Sequence, residues 1–174
     1  MFEKNRAAKF EETFLPHLDA AYNLARWMTR DGADAEDVVQ EACLRAFKFL
    51  DGFHGGDSRS WLLKIVRNTC YSWLQKNRGL VAMAEFDEEQ HTAEVRDVEA
   101  EMIGKIDSWM LKPLLEELPF EFREIVILRD LEGLSYKEIA RVADLPLGTV
   151  MSRLARARER LQTGLAVHLK GRSK

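Results

Sequence analysis

The chain has 174 residues, 46% of them apolar and 32% charged, with a formal net charge of −3. That composition suits one domain or two small ones, soluble and rich in helix. No apolar run approaches the roughly 18 residues that span a bilayer, and the opening MFEKNRAAKFEE lacks the apolar stretch of a secretory signal, so a cytoplasmic protein without membrane insertion is expected.

The first predicted element covers about residues 5–30, where Phe10, Phe14, Leu18, Ala21, Leu24 and Met28 recur at helical spacing. Gly32 is expected to break it. The next helix is expected to be capped by Asp34, with Asp37 at the capping-box position, and to run to about Leu50. Ala35, Val39, Ala42, Cys43, Ala46 and Leu50 share its apolar side, and Asp34, Asp37, Gln40, Glu41, Arg45 and Lys48 its polar side. Leu44 projects among those charges, and Val38 from their border. A leucine there is either a protein-binding contact or an ordinary exposed apolar residue, and the helix alone does not choose between them.

The glycine-rich loop DGFHGGD, Asp51–Asp57, comes next. A third long helix, capped by Asp57 or Ser58, is expected to reach about Asn77. Trp61, Leu62, Ile65, Val66, Thr69 and Trp73 form its inward side. Ser60, Lys64, Arg67, Asn68, Tyr71 and Gln75 line the opposite side, which carries no acid. Cations follow phosphates, a ring stacks and amides read base edges, so this stripe suits a single nucleic-acid strand. The adjoining loop could form a pocket for an unstacked base with Phe53 or His54 on its wall, although glycine loops are also common as plain connectors. These helices delimit a first domain over 5–78.

Between Gly79 and Met110 lie nine acidic and two basic residues, a net of −7. With weak periodicity as well, residues 79–110 read as an acidic linker. A second helical domain is expected over 111–169. Pro113 and Pro119 each begin a helix there, the latter carrying FEFREIVILRDLEG and ending at Gly133.

Ser135–Leu161 then reads as two helices joined by a tight turn. Ser135 and Glu138 form a capping box, and Ile139, Ala140 and Ala143 make a small apolar face. Asp144 and Pro146 stop the helix, and Gly148 and Thr149 open the next. There Val150, Leu154, Ala157 and Leu161 share one side, and Thr149, Ser152, Arg153, Arg156 and Arg160 another, with Arg158 and Met151 on a flank. A capped helix, a proline-bounded turn and a basic second helix together make a helix-turn-helix, with donors suited to phosphates and guanine edges. Seven basic residues against one acidic between Pro146 and Lys174 give +6, a local field that matters more than the net charge. Cys43 and Cys70 fall in helical patterns and read as reduced core residues. The four histidines lack metal-ligand spacing, and neither a metal nor a cofactor is expected.

DAEDVVQEACLRAFKFLDGF, SWLLKIVRNTCYSW, the acidic linker and LPFEFREIVILRDLEGLSYKEIARVADLPLGTVMSRLARARERL together resemble the extracytoplasmic-function (ECF) sigma factors, the smallest sigma-70-type initiation factors of bacterial RNA polymerase. The resemblance covers about residues 10–165. It implies an all-α fold of two small domains, a region 2 helical bundle and a region 4 helix-turn-helix. It assigns Asp34, Asp37, Gln40, Glu41 and Leu44 to core-polymerase binding. Phe53, His54, Lys64, Arg67 and Asn68 would read the −10 element as a flipped single strand. Ser135, Tyr136, Lys137 and Thr149 would hold phosphates of the −35 duplex, while Ser152, Arg153 and Arg156 contact bases and phosphates and Arg160 continues that face. The linker takes the place of region 3.2, running through the polymerase active-site cleft and RNA exit channel. The implied partners are core RNA polymerase (β′ clamp helices and β flap), promoter DNA and an anti-sigma factor, with a monomer when unbound. Two departures stand out: Met151, where the family often has Lys or Arg, and the double glycine before Asp57. The residues also admit a helix-turn-helix regulator that binds duplex DNA by itself, or a helical adaptor that binds no DNA. An enzyme fits least, since no Ser/His/Asp set, metal cluster or phosphate loop is visible.

Overall fold

The computed structural model describes residues 1–78 and 106–172, so most of the acidic linker lies outside the described residues. Two compact units carry the described helices: the first takes in the helices up to Arg78 and is assigned Arg141–Asp144 as well, and the second takes in the rest of the chain from Ser108 onward. Among the described residues the regular structure is all helical, and no helix is long and apolar enough to cross a membrane.

In the first unit, the helix expected over 5–30 is two helices, α1 (Phe2–Phe14) and α2 (Leu18–Thr29). Pro16 has no N–H to continue the ladder, and the chain tightens into a 3-10 turn at Leu15–His17. α2 ends where Arg30 turns left-handed at φ 63°. Gly32 therefore breaks nothing; it is the first residue of α3 (Gly32–Lys48). The cap of α3 is Asp31, whose Oδ1 accepts from the Asp34 N–H at 3.0 Å, so the cap expected at Asp34 sits three residues too late. A 3-10 turn at Leu50–Gly52 leads through the glycine loop to α4 (Ser58–Arg78). Asp57 caps α4: the Ser60 N–H donates to its Oδ1 at 3.0 Å, and the Ser60 hydroxyl donates to its other oxygen.

α2, α3 and α4 pack mutually as a three-helix core. The buried stripe of α3 is Ala35, Val38, Ala42 and Ala46. Val38 thus belongs to the core, while Val39 and Cys43 are half-buried. Small side chains on this stripe let both neighbours approach closely, and the helix rotates toward them. On α4 the buried residues include Leu62, Leu63, Val66, Thr69, Cys70 and Leu74; Trp61, Ile65 and Trp73 are only half-buried. Ser60 leaves the outward stripe because its cap bonds bury it. Both cysteines are thiols, and burial pushes that of Cys43 above its ordinary pKa.

The second unit begins with α5 (Ser108–Glu117), five residues ahead of the expected start at Pro113, which lies inside the helix. Leu118 is extended before Pro119, as a residue before proline prefers. α6 (Phe120–Val126) follows and widens into a π turn at Ile127–Leu131. Arg123 is buried and closes the end of α5: its Nε donates to the Leu115 carbonyl at 2.8 Å, and its Nη2 to Glu116 at 3.0 Å and Leu118 at 2.8 Å. These are carbonyls a helix end leaves without intrahelical partners. α7 (Tyr136–Ala143) follows Gly133, and Asp144 turns left-handed at φ 54°. α8 (Leu147–Arg172) opens one residue before Gly148 and continues past the expected domain end at Leu169. It packs on α5 and α6.

Candidate functional site

Three surfaces gather the residues singled out in the sequence. On α3, Asp37, Gln40, Glu41 and Leu44 are exposed, and Asp34 half-buried. Leu44 is 72% exposed, and Phe49 just beyond the helix 57%. The face therefore combines carboxylates with two exposed apolar side chains, the Phe49 ring having the Lys48 ammonium over it at 5.7 Å. Arg45 pairs with Glu41 on the same helix.

The second surface is the glycine loop with the outer face of α4. Phe53 packs its ring 5.4 Å from Phe14 and 5.3 Å from Trp61, centroid to centroid. It is thus bound into an aromatic cluster and holds the loop. His54, Gly55 and Gly56 are exposed at the tip. Gly55 and Gly56 have φ of +95° and +92°, a backbone that a side chain disfavours. The loop's far end is fixed by the Asp57 cap and by His17, whose Nε2 lies 2.9 Å from the Ser58 hydroxyl. Burial, and then the Arg59 charge, lower the His17 pKa from 6.5 against an opposing pull from Asp57. At the loop's start, Arg6 donates to the Phe47 carbonyl at 3.0 Å, covers the Phe47 ring and pairs with Asp51 at 3.5 Å. Along α4, Lys64 and Asn68 are exposed. Arg67 lies over the Tyr71 ring at 4.0 Å and donates to Asn68 Oδ1 at 3.4 Å. A cation, an amide and a ring thus meet on the outer face of α4.

The third surface is the helix-turn-helix. Ser135 and Glu138 make the expected capping box: the Glu138 N–H donates to Ser135 Oγ at 3.2 Å, and the Ser135 N–H to Glu138 Oε2 at 2.6 Å. Lys137 is exposed, and Tyr136 lies under the Arg129 guanidinium at 4.6 Å. On α8, Val150, Leu154, Ala157 and Leu161 are buried. Thr149, Ser152, Arg153 and Arg156 are half-buried and Arg160 is exposed. The Ser152 hydroxyl donates back to the Thr149 carbonyl at 3.1 Å, and Arg160 covers the Phe122 ring at 4.8 Å. Arg158 does not share a flank with Met151 at the surface. It is buried and donates to Asp130 at 2.8 Å.

Comparison with known proteins gives a family match in each half of the chain. The Sigma-70 region 2 family model matches residues 13–79, and the Sigma-70 region 4 model residues 109–161. An ECF RNA polymerase sigma-E factor of Haemophilus influenzae is 33% identical over 148 residues, covering 80% of this chain and 77% of that protein. The chain belongs to the ECF family of RNA polymerase sigma factors. The ECF sigma factor SigE of Mycolicibacterium smegmatis is 35% identical over 162 residues; the match covers 91% of this chain and 62% of that longer protein. Among solved structures, the sigma factor RpoE of Bartonella quintana, in complex with the anti-sigma factor NepR, aligns with TM-score 0.70 and 32% identity, covering 91% of this chain and 98% of that one. CnrH in complex with the cytosolic domain of CnrY aligns with TM-score 0.66 and 25% identity, covering 91% and 88%.

The supporting roles of three residues of this sigma factor escaped the sequence reading: Arg6 and Arg123, which it did not single out, and Arg158, which it placed on a flank. Arg6 and Arg158 bond groups 41 and 28 residues away, and Arg123 caps the helix before its own. Only a charge on an otherwise apolar stretch, as at Arg123, signals such a role in advance. Among the described residues no cluster of His, Cys, Asp and Glu could hold a metal ion.

Proposed function

We propose that this ECF sigma factor is a dissociable promoter-specificity subunit of the bacterial cytoplasm, binding core RNA polymerase through α3 and promoter DNA through both units. The observation that carries the reading is the region 2 and region 4 matches, in that order, on one chain. In the first unit, Asp37, Gln40, Glu41 and Leu44, flanked by Asp34, meet the β′ clamp helices. Lys64, Arg67 and Asn68 follow the melted −10 strand. His54 and the glycine tip receive an unstacked base, while Phe53 anchors the loop beneath it. In the second unit, Lys137, the capped start of α7 and Thr149 hold phosphates. Ser152, Arg153, Arg156 and Arg160 face the −35 duplex.

Unstacking a base costs a few kcal/mol, and a loop already fixed at both ends spends none of its binding on ordering itself. Capture of −10 bases thus stabilises the open complex without any covalent chemistry by the sigma factor. The linker occupies the polymerase cleft, and the β flap meets the second unit. An anti-sigma partner covers these surfaces in the resting state, a reading supported by the aligned sigma factor RpoE, solved with the anti-sigma factor NepR.

Run-off transcription tests this reading. Core polymerase with the purified protein should initiate from a cognate promoter that core alone ignores. Tight duplex binding by the protein alone, with no gain of initiation on adding core, contradicts it and returns the chain to a helix-turn-helix regulator.

A further inference from the structure

Along the first three turns of α8, where a recognition helix meets base edges, apolar side chains reach the surface. Leu147 is 41% exposed, Ala155 is exposed and Met151 half-exposed. Spaced i, i+4 and i+8, they form one ridge along the helix. The polar side chains nearby are partly committed elsewhere. The Ser152 hydroxyl is turned back onto the Thr149 carbonyl, and the Arg160 guanidinium lies on Phe122. Gly148, next to Leu147, has no atom within 4 Å of where a Cβ would stand, so the start of α8 is open at that point.

Among base edges in the major groove, one group is apolar: the C5-methyl of thymine. Arg153 and Arg156 on the same helix and Lys137 on α7 supply the positive charge that draws the ridge against DNA. We infer that Leu147, Met151 and Ala155 read thymine methyls in the −35 duplex, so that this sigma factor prefers T at the steps under Met151. The inference rests on the assignment of α8 to the −35 element and adds the chemistry by which that helix discriminates.

The test uses holoenzyme reconstituted from core polymerase and the full chain. Two promoter pools carry a randomised −35 segment and are identical except that one contains deoxyuridine wherever the other contains thymidine. Uracil keeps every hydrogen-bonding group and loses only the methyl. The wild type should enrich T at particular steps of the thymidine pool, and each such step should weaken about fourfold in the uridine pool, the scale of one methyl-sized burial. Met151→Lys should bind both pools equally at its step, with core binding unchanged. Equal enrichment of T and U by the wild type overturns the methyl readout while leaving the −35 assignment standing. Loss of −35 enrichment in both pools overturns the assignment itself.

Discussion

Arg158 and Asp130 meet at 2.8 Å with side chains 10% and 4% exposed. Removing one partner strands the other charge, so Arg158→Ala should cost about 3–5 kcal/mol, whereas Arg158→Met with Asp130→Leu should recover most of that loss. Urea unfolding of the two variants checks the pair; equal destabilisation of both would show that packing, not charge pairing, sets the cost. The sequence could not reveal this bond. A helical wheel put Arg158 beside Met151, and the partner, 28 residues away, sits on a π turn that no periodicity announces. The Ser135–Glu138 box was legible because both partners lie within one turn. His17 adds a pH dependence. Its pKa is lowered in the folded state, so folding disfavours the charged ring. Its contribution is fully present above pH 6.5 and is lost as pH falls from 6.5 toward the lowered value. His17→Gln should abolish that step, seen by comparing urea midpoints of variant and wild type at pH 7.5 and pH 5. The same drop in both proteins would assign the step to other groups.

Between the elements, the glycine loop is held from three sides: Arg6 at its start, the Phe14–Phe53–Trp61 cluster at its middle and the Asp57 cap at its end. The sequence marked the loop and its aromatic residues but not their arrangement, since packing of Phe53 under the loop depends on where α1 lies. Gly55→Ala should destabilise the first unit by about 1–2 kcal/mol, the scale of forcing a side chain to positive φ. Gly52→Ala, with no positive φ and open space around it, should cost less than half as much. Thermal unfolding separates the two, and equal losses would deny the strain. Arg6→Ala should leave the fold intact but speed hydrogen exchange at Gly52 and Phe53, whose amides bond Phe49 and Leu50; unchanged exchange would show that α1 does not brace the loop. Helix existence was readable from periodicity throughout. Helix ends were not: Pro16 splits a run that stays periodic, and Pro113 is tolerated inside α5.

At the scale of the whole molecule, the order of charge was legible and the geometry was not. The negative stretch 79–110 and the positive end from Pro146 follow directly from composition, as does the succession of a single-strand patch and a helix-turn-helix. Which residues face outward depended on helix rotations fixed by packing, as Val38 shows. Joining two modest contacts on one chain raises the local concentration of the second once the first is made, and this makes a two-point reader selective. The most direct test measures both ends of that reader on one holoenzyme. Arg156→Ala should lower −35-dependent initiation by about 1–3 kcal/mol, the worth of one good base contact, and leave affinity for core polymerase unchanged. Asp37→Ala with Leu44→Ala should lower core affinity and leave isolated −35 duplex binding unchanged. Equal loss of both activities in either variant would contradict the separation of surfaces on which the account stands.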